Sequence, residues 1–122
     1  MSDPYPDGNP KTAEGRRKAP LRAVPPIALL HLGAAMDDGE RKYGRFNWRE
    51  QPVTASVYYD AIMRHILAWW DGEERAPDSG THHLAHVMAC CAILLDAASL
   101  GKLNDDRSAG AAPAMLAEKR GP

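Results

Sequence analysis

Phenylalanine occurs once in these 122 residues, and the other aromatics are four tyrosines and three tryptophans. Hydrophobic residues make up 44% of the chain, much of it alanine. That composition argues against a β-sandwich, which draws on Val, Ile and Thr, and favours packed helices. A sustained apolar run long enough to cross a bilayer is lacking. So is an excess of charge of either sign: the formal net charge is −1, giving no field to attract a nucleic-acid polymer or an acidic membrane. The only two cysteines, Cys90 and Cys91, are neighbours, a poor geometry for a disulfide between them. The polar, proline-rich start does not read as a secretory signal. These absences lead to the expectation of a single-domain, all-α protein of the reducing cytoplasm.

Prolines and glycines punctuate what is there. Residues 1–19 are polar and aperiodic and read as a disordered or extended tail. Residues 20–103 read as one helical domain, and the charged, Gly- and Ala-rich residues 104–122 as a flexible tail, in which 115–119 reads either as a short helical turn or as disordered. Within the domain Pro26 suits the first turn of a helix over 27–38, with Ile27, Leu30 and Ala34 on one stripe and Gly39 as its stop. A second helix is expected over 53–71, capped by Thr54 or Ser56 and closed by Gly72, burying Tyr58, Ile62, Ile66 and Trp69. A third is expected over 81–100, capped by Asp78, Ser79 or Thr81, with Leu84, Val87, Cys91, Leu94 and Ala98 as its apolar stripe. Three such helices bury a modest core, so a homodimer completing a four-helix-like bundle is expected.

Three groups of residues carry chemistry. An acidic loop with Glu73 and Asp78 leads to His83 and His86, three apart and therefore on one helix face. Carboxylate and imidazole meeting at a helix start can serve a divalent metal or a phosphate, and equally can be a solvated loop. Residues 41–49 gather Lys42, Tyr43, Asn47 and Trp48, a mixture able to grip phosphates and stack on a base. Trp48 and Tyr43 serve as well to plug the edge of a core. On the second helix Asp60 and Arg64 are spaced for an i, i+4 pair, and His65 sits at the edge of the apolar stripe.

In their order and spacing, Lys18-Ala-Pro-Leu, Val24-Pro-Pro, Lys42-Tyr-Gly, Asn47-Trp-Arg, Asp60-Ala-x-x-Arg-His65, Gly72-Glu, Asp78-Ser-Gly and His83-Leu-Ala-His86 resemble the N-terminal domain family of phage dATP/dGTP diphosphohydrolases. The resemblance spans about residues 18–100. It implies an all-α phage or prophage enzyme, related in architecture to MazG-like pyrophosphatases. Such an enzyme cleaves a deoxynucleoside triphosphate to the monophosphate and pyrophosphate. Three positions depart from the family's pattern: Ala76 stands where an acid is common, Asp78 replaces a longer Glu, and Cys90 replaces an asparagine. The paired Glu-x-x-Glu and Glu-x-x-Asp helices of MazG-like metal sites are absent too, Asp37-x-x-Glu40 being the nearest echo.

On this reading Glu73, Asp78, His83 and His86 are the expected ligands of Mg²⁺ or Mn²⁺, with Glu73 and His65 catalytic. Lys42 and Arg64 bind phosphate, Arg64 being held by Asp60, while Tyr43, Asn47 and Trp48 contact base or sugar. A purine deoxynucleotide is the expected partner, with no nucleic-acid polymer and no membrane. The alternative is a non-catalytic nucleotide-binding or regulatory module. An HD-type phosphohydrolase needs His followed by Asp, and no histidine here is.

Overall fold

The computed structural model describes residues 6–121; the first five residues of the expected N-terminal tail, and Pro122, lie outside them. Six helices and one minimal parallel strand pair make up the described chain, so it is mostly helical. Three long helices dominate, as expected: α2 (Pro26–Tyr43), α4 (Ala55–Trp70) and α5 (His83–Ser99). The central one is α5, which packs on both α4 and α2. Short helices α1 (Pro10–Gly15), α3 (Asn47–Glu50) and α6 (Ala112–Ala117) fill the remainder. Neither α1 nor α6 buries a residue, and α6 starts three residues ahead of the expected turn.

Gly39 does not stop α2. The helix runs on to Tyr43 and ends at Gly44, whose φ of 91° suits glycine. A glycine inside a helix costs only about 1 kcal/mol. Here the ion pairs Asp37–Arg41 (2.7 Å) and Asp38–Lys42 (2.9 Å) clamp the turns on either side of it. The extra turn carries Lys42 and Tyr43 to where the chemistry lies.

The second expected helix begins two residues late. Val53 and Thr54 instead form β1, pairing in parallel with β2 (Leu103–Asn104) in the register Val53↔Leu103. Thr54 holds the N-cap position without a capping side-chain bond; its hydroxyl instead accepts from Asn104 Nδ2 at 3.3 Å. The exposed first-turn N–H of Ser56 goes to Asp106 Oδ1 at 2.9 Å, and the Ser56 hydroxyl bonds the same carboxylate. The start of the expected C-terminal tail is thereby tied to α4. Helix α5 is capped by none of the expected residues: His82 Nδ1 accepts the Leu84 N–H at 3.0 Å.

The buried faces also differ from the expected stripes. Ile27 and Leu30 are 62% and 70% exposed, and Cys91 and Ala98 face solvent. The core is built on alanine: Ala35, Ala85 and Ala89 meet where α2 crosses α5, flanked by Leu32, Met36 and Met88. A second cluster joins Trp48, Val53 and Ala97, with Tyr58, Ile93 and Leu103 against it. Small side chains let helices approach closely, so the seam follows alanine rather than the largest residues. Tyr58, Ile62, Ile66 and Trp69 of α4 are each half-buried.

Candidate functional site

A cleft of about 590 Å³ opens between the end of α2, the α3 segment, α4 and α5. That is within the range of small-molecule sites, roughly 300–1,000 Å³. Because α2 extends past Gly39, it delivers Lys42 and Tyr43 to the cleft, one turn beyond Asp38, which lines it too. Further lining comes from α4, through Tyr58, Arg64 and His65, and from α5, through His86 and Cys90. Asp78 enters from the loop between them, and Arg45, Phe46, Asn47 and Trp48 close one end.

That end is braced. Trp48 is 6% exposed, and its Nε1–H donates to Asp96 Oδ2 at 2.7 Å. Arg49 donates to both oxygens of the same carboxylate, at 2.8 and 2.9 Å. The Arg49 guanidinium also lies 4.1 Å from the centre of the Phe46 ring, which meets Trp48 edge-on. Phe46 has φ 53°, the only non-glycine residue with positive φ among the described residues. Such backbone strain persists only where surrounding contacts hold it, and it clusters at binding sites. Trp48 therefore serves both core and cleft wall.

The polar side of the cleft is a mixed-charge cluster. Asp38 holds Lys42 at 2.9 Å, and this hydrogen bond raises the lysine pKa above its ordinary value, helped by the charges of Asp38 and Asp78. The Ser79 backbone N–H, donating to Asp78 at 2.9 Å, lowers that carboxyl's pKa. Burial lowers the pKa of both cleft imidazoles; the neighbouring His86 and His83 add to the effect at His65. Both rings are therefore neutral bases at pH 7. They stack at 4.6 Å with an interplanar angle of 19°, and His86 Nε2 lies 2.8 Å from the Ser79 hydroxyl. Burial likewise raises the Cys90 pKa, so its thiol stays protonated at neutral pH.

Lys42, Tyr43, Asn47, Trp48, Arg64, His65, Asp78 and His86 are thus brought to one cleft. Glu73 and His83 are not on its lining. His83 is 4% exposed, and its Nε2 bonds Glu73 Oε1 at 2.6 Å, while its Nδ1 lies 2.8 Å from His65 Nδ1. Among the described residues no three His, Cys, Asp or Glu side chains are grouped to hold a metal ion. The expected four-ligand set does not converge, because Glu73 and His83 are committed to each other. The i, i+4 spacing of Asp60 and Arg64 produces no ion pair; both are exposed, and Arg64 turns to the cleft instead. Holding two long surface side chains together costs entropy that a solvated pair barely offsets. Ala76, where an acid was expected by resemblance, is a 3% exposed loop residue off the cleft, bonded through its backbone to Thr81 and Gly80.

Asp38, Arg45 and Phe46 escaped the sequence reading. The signal for Asp38 was present: it precedes Lys42 by four residues, acid first, which is the favourable order on a helix. Reading Gly39 as a stop concealed it.

Comparison with known proteins agrees with the motif series. The family described as dATP/dGTP diphosphohydrolase, N-terminal, matches residues 8–107. A protein of Salmonella phage PMBT28 named dATP/dGTP diphosphohydrolase is 31% identical over 104 residues, covering 85% of this chain and 35% of that relative. The chain therefore spans about a third of the relative's length. No solved structure matches.

Proposed function

From its membership of the dATP/dGTP diphosphohydrolase N-terminal family, we propose that this chain is a metal-dependent nucleotide pyrophosphohydrolase, converting dATP or dGTP to the monophosphate and pyrophosphate. The observation that carries this reading is the cleft itself, which is lined by cations, carboxylates, neutral imidazoles and aromatic side chains together. Lys42 and Arg64 supply positive charge for the polyphosphate, whose leaving pyrophosphate gathers charge as the α–β anhydride bond breaks. Tyr43 and Phe46, both exposed at the cleft, offer ring faces to a purine, and Asn47 offers an amide to base or sugar.

His65 is the base. Water attacks the α-phosphorus and passes its proton to His65, while the bond from that phosphorus to the bridging oxygen breaks and its electron pair leaves with pyrophosphate. Magnesium seldom needs an all-protein cage; it is usually bound by one or two carboxylates together with substrate phosphates and water. Three acids line the cleft, Asp38, Glu40 and Asp78; Glu40 is paired with Arg45 at 3.4 Å, and Asp38 and Asp78 would hold Mg²⁺ or Mn²⁺. The ion would supply charge neutralisation on the triphosphate.

The expected result is pyrophosphate release from dATP and dGTP in the presence of Mg²⁺ or Mn²⁺, falling at least about 100-fold in Lys42→Ala through loss of a phosphate-directed charge. Nucleotide binding by calorimetry with no turnover would instead make the chain a nucleotide-binding or regulatory module. The phage setting and a cytoplasmic location are part of the same reading. Among the described residues no helix is long and apolar enough to cross a membrane.

A homodimer belongs to this reading as well. Ile27, Leu29 and Leu30 on α2, and Leu67 and Trp70 on α4, are each 60% or more exposed, and a second copy would cover such side chains. Sedimentation at micromolar concentration should show a dimer; a single monomeric species removes this part.

A further inference from the structure

The three side chains Glu73, His83 and His65 form one continuous hydrogen-bonded row. It starts at a half-exposed carboxylate, crosses the buried His83 and ends on a ring that lines the cleft. We propose that Glu73 and His83 act as a relay fixing the protonation of His65, holding its proton on Nδ1 and leaving Nε2 as a bare lone pair toward the cleft. This rests on the nucleotide hydrolysis reading for its purpose, though not for its geometry.

The direction of each bond follows from donor and acceptor capacity. A carboxylate only accepts, so the 2.6 Å contact requires a proton on His83 Nε2. A neutral ring then has a lone pair on Nδ1. The 2.8 Å contact between the two Nδ1 atoms needs one donor, which must be His65. Its Nε2 is left unprotonated. Since Nδ1 is turned to His83, which is off the cleft lining, the free nitrogen is the one on the cleft side.

The backbone locks the row. Glu73 N–H donates to Ala68 O at 3.0 Å, continuing from the end of α4, and His83 N–H donates to Glu74 O at 2.9 Å. Stacking on His86 fixes the plane of the His65 ring. The adjacent His82 offers an internal standard decided by the same logic. Its Nδ1 accepts the Leu84 N–H, so its Nε2 carries the proton donated to Glu74 Oε2 at 2.9 Å. Free imidazole side chains in water favour the Nε2–H form, so His65 is held in the less common tautomer. Glu73 and His83 are positioning residues in this scheme. They act through His65 and touch no substrate.

Long-range ¹⁵N–¹H correlation spectra of the full chain at pH 8 test it, using wild type, Glu73→Leu and His83→Phe. The expected result is an Nδ1–H tautomer at His65 and an Nε2–H tautomer at His82 in wild type, with His65 shifting toward Nε2–H in both variants and His82 unchanged. Glu73→Leu should also lower kcat for pyrophosphate release about 10- to 100-fold, the range for partners that orient a working imidazole, with KM within about twofold of wild type. An Nε2–H tautomer at His65 in wild type, a doubly protonated His83, or spectra unmoved by Glu73→Leu would overturn the relay. Should His83→Phe fail to fold, the Glu73→Leu spectrum decides alone. The proposed tautomers in a protein that releases no pyrophosphate would leave the relay standing and remove the hydrolase reading; turnover with the opposite tautomer would do the reverse.

Discussion

His65→Gln should lower kcat for pyrophosphate release by about 10²–10⁴-fold, the contribution of a placed general base, while KM changes little. Glutamine fills similar space and can still hydrogen-bond His83, so the fold and the phosphate-binding cations remain. The pH profile gives a second reading of the same residue. Burial, with the nearby His86 and His83, lowers the His65 pKa below its ordinary 6.5. The base form is therefore already populated at neutral pH, and the acidic limb of kcat should fall below pH 6.5. Asp78 opposes that shift, whereas the charge of Arg64 reinforces it. In His65→Gln the limb should disappear along with the rate. A kcat within threefold of wild type, or an acidic limb persisting unchanged, would exclude His65 as the base.

The largest effect on stability is expected at Trp48. Trp48→Ala should cost about 3–5 kcal/mol, the usual consequence of emptying a buried tryptophan site. Against a total of about 5–15 kcal/mol for an ordinary domain, that is a large fraction. No large side chain among the described residues is fully buried, so few neighbours can compensate. Loss of the indole would expose Val53 and Ala97 and remove one of the two partners of Asp96. It would also loosen the wall that carries Phe46. Trp48→Phe should cost clearly less, because a ring remains while only the N–H donor and part of the volume are lost. Urea denaturation followed by circular dichroism measures both. A Trp48→Ala midpoint equal to wild type would mean that the second core cluster contributes little. Since Trp48 is at once core and cleft wall, its binding and folding effects must be separated by assaying Trp48→Phe under conditions where it is fully folded.

The departures from the family pattern take on physical meaning once placed in space. Ala76 is a loop methyl packed off the cleft, so an acid missing there removes nothing from the wall. Asp78, the shortened acid, does reach the cleft. Cys90 lines the cleft as a protonated thiol, able to pack against a ligand.

The helical class, the three long helices and eight of the cleft-lining residues, among them Lys42, Arg64, His65 and His86, were legible in the amino-acid order alone. Helix formation and side-chain spacing are local properties, repeated every few residues, and the ordered motifs from Lys18 to His86 carried the family. Which face of each helix is buried was not legible. Close helix approach selects alanine over leucine at the seam, so the strongest apolar stripe pointed outward while Ala35, Ala85 and Ala89 met inside. The continuation of α2 past Gly39, accompanied by the ion pairs Asp37–Arg41 and Asp38–Lys42 that span the glycine, was hidden by reading Gly39 as a stop. Only the tertiary structure decided the partners of the histidines. Glu73, His65 and His83 belong to a loop and two different helices, and their hydrogen bonds exist because α5 lies against α4. Proton position on an imidazole is set by what its other nitrogen touches, and that contact is written in the packing, not in the spacing along the chain.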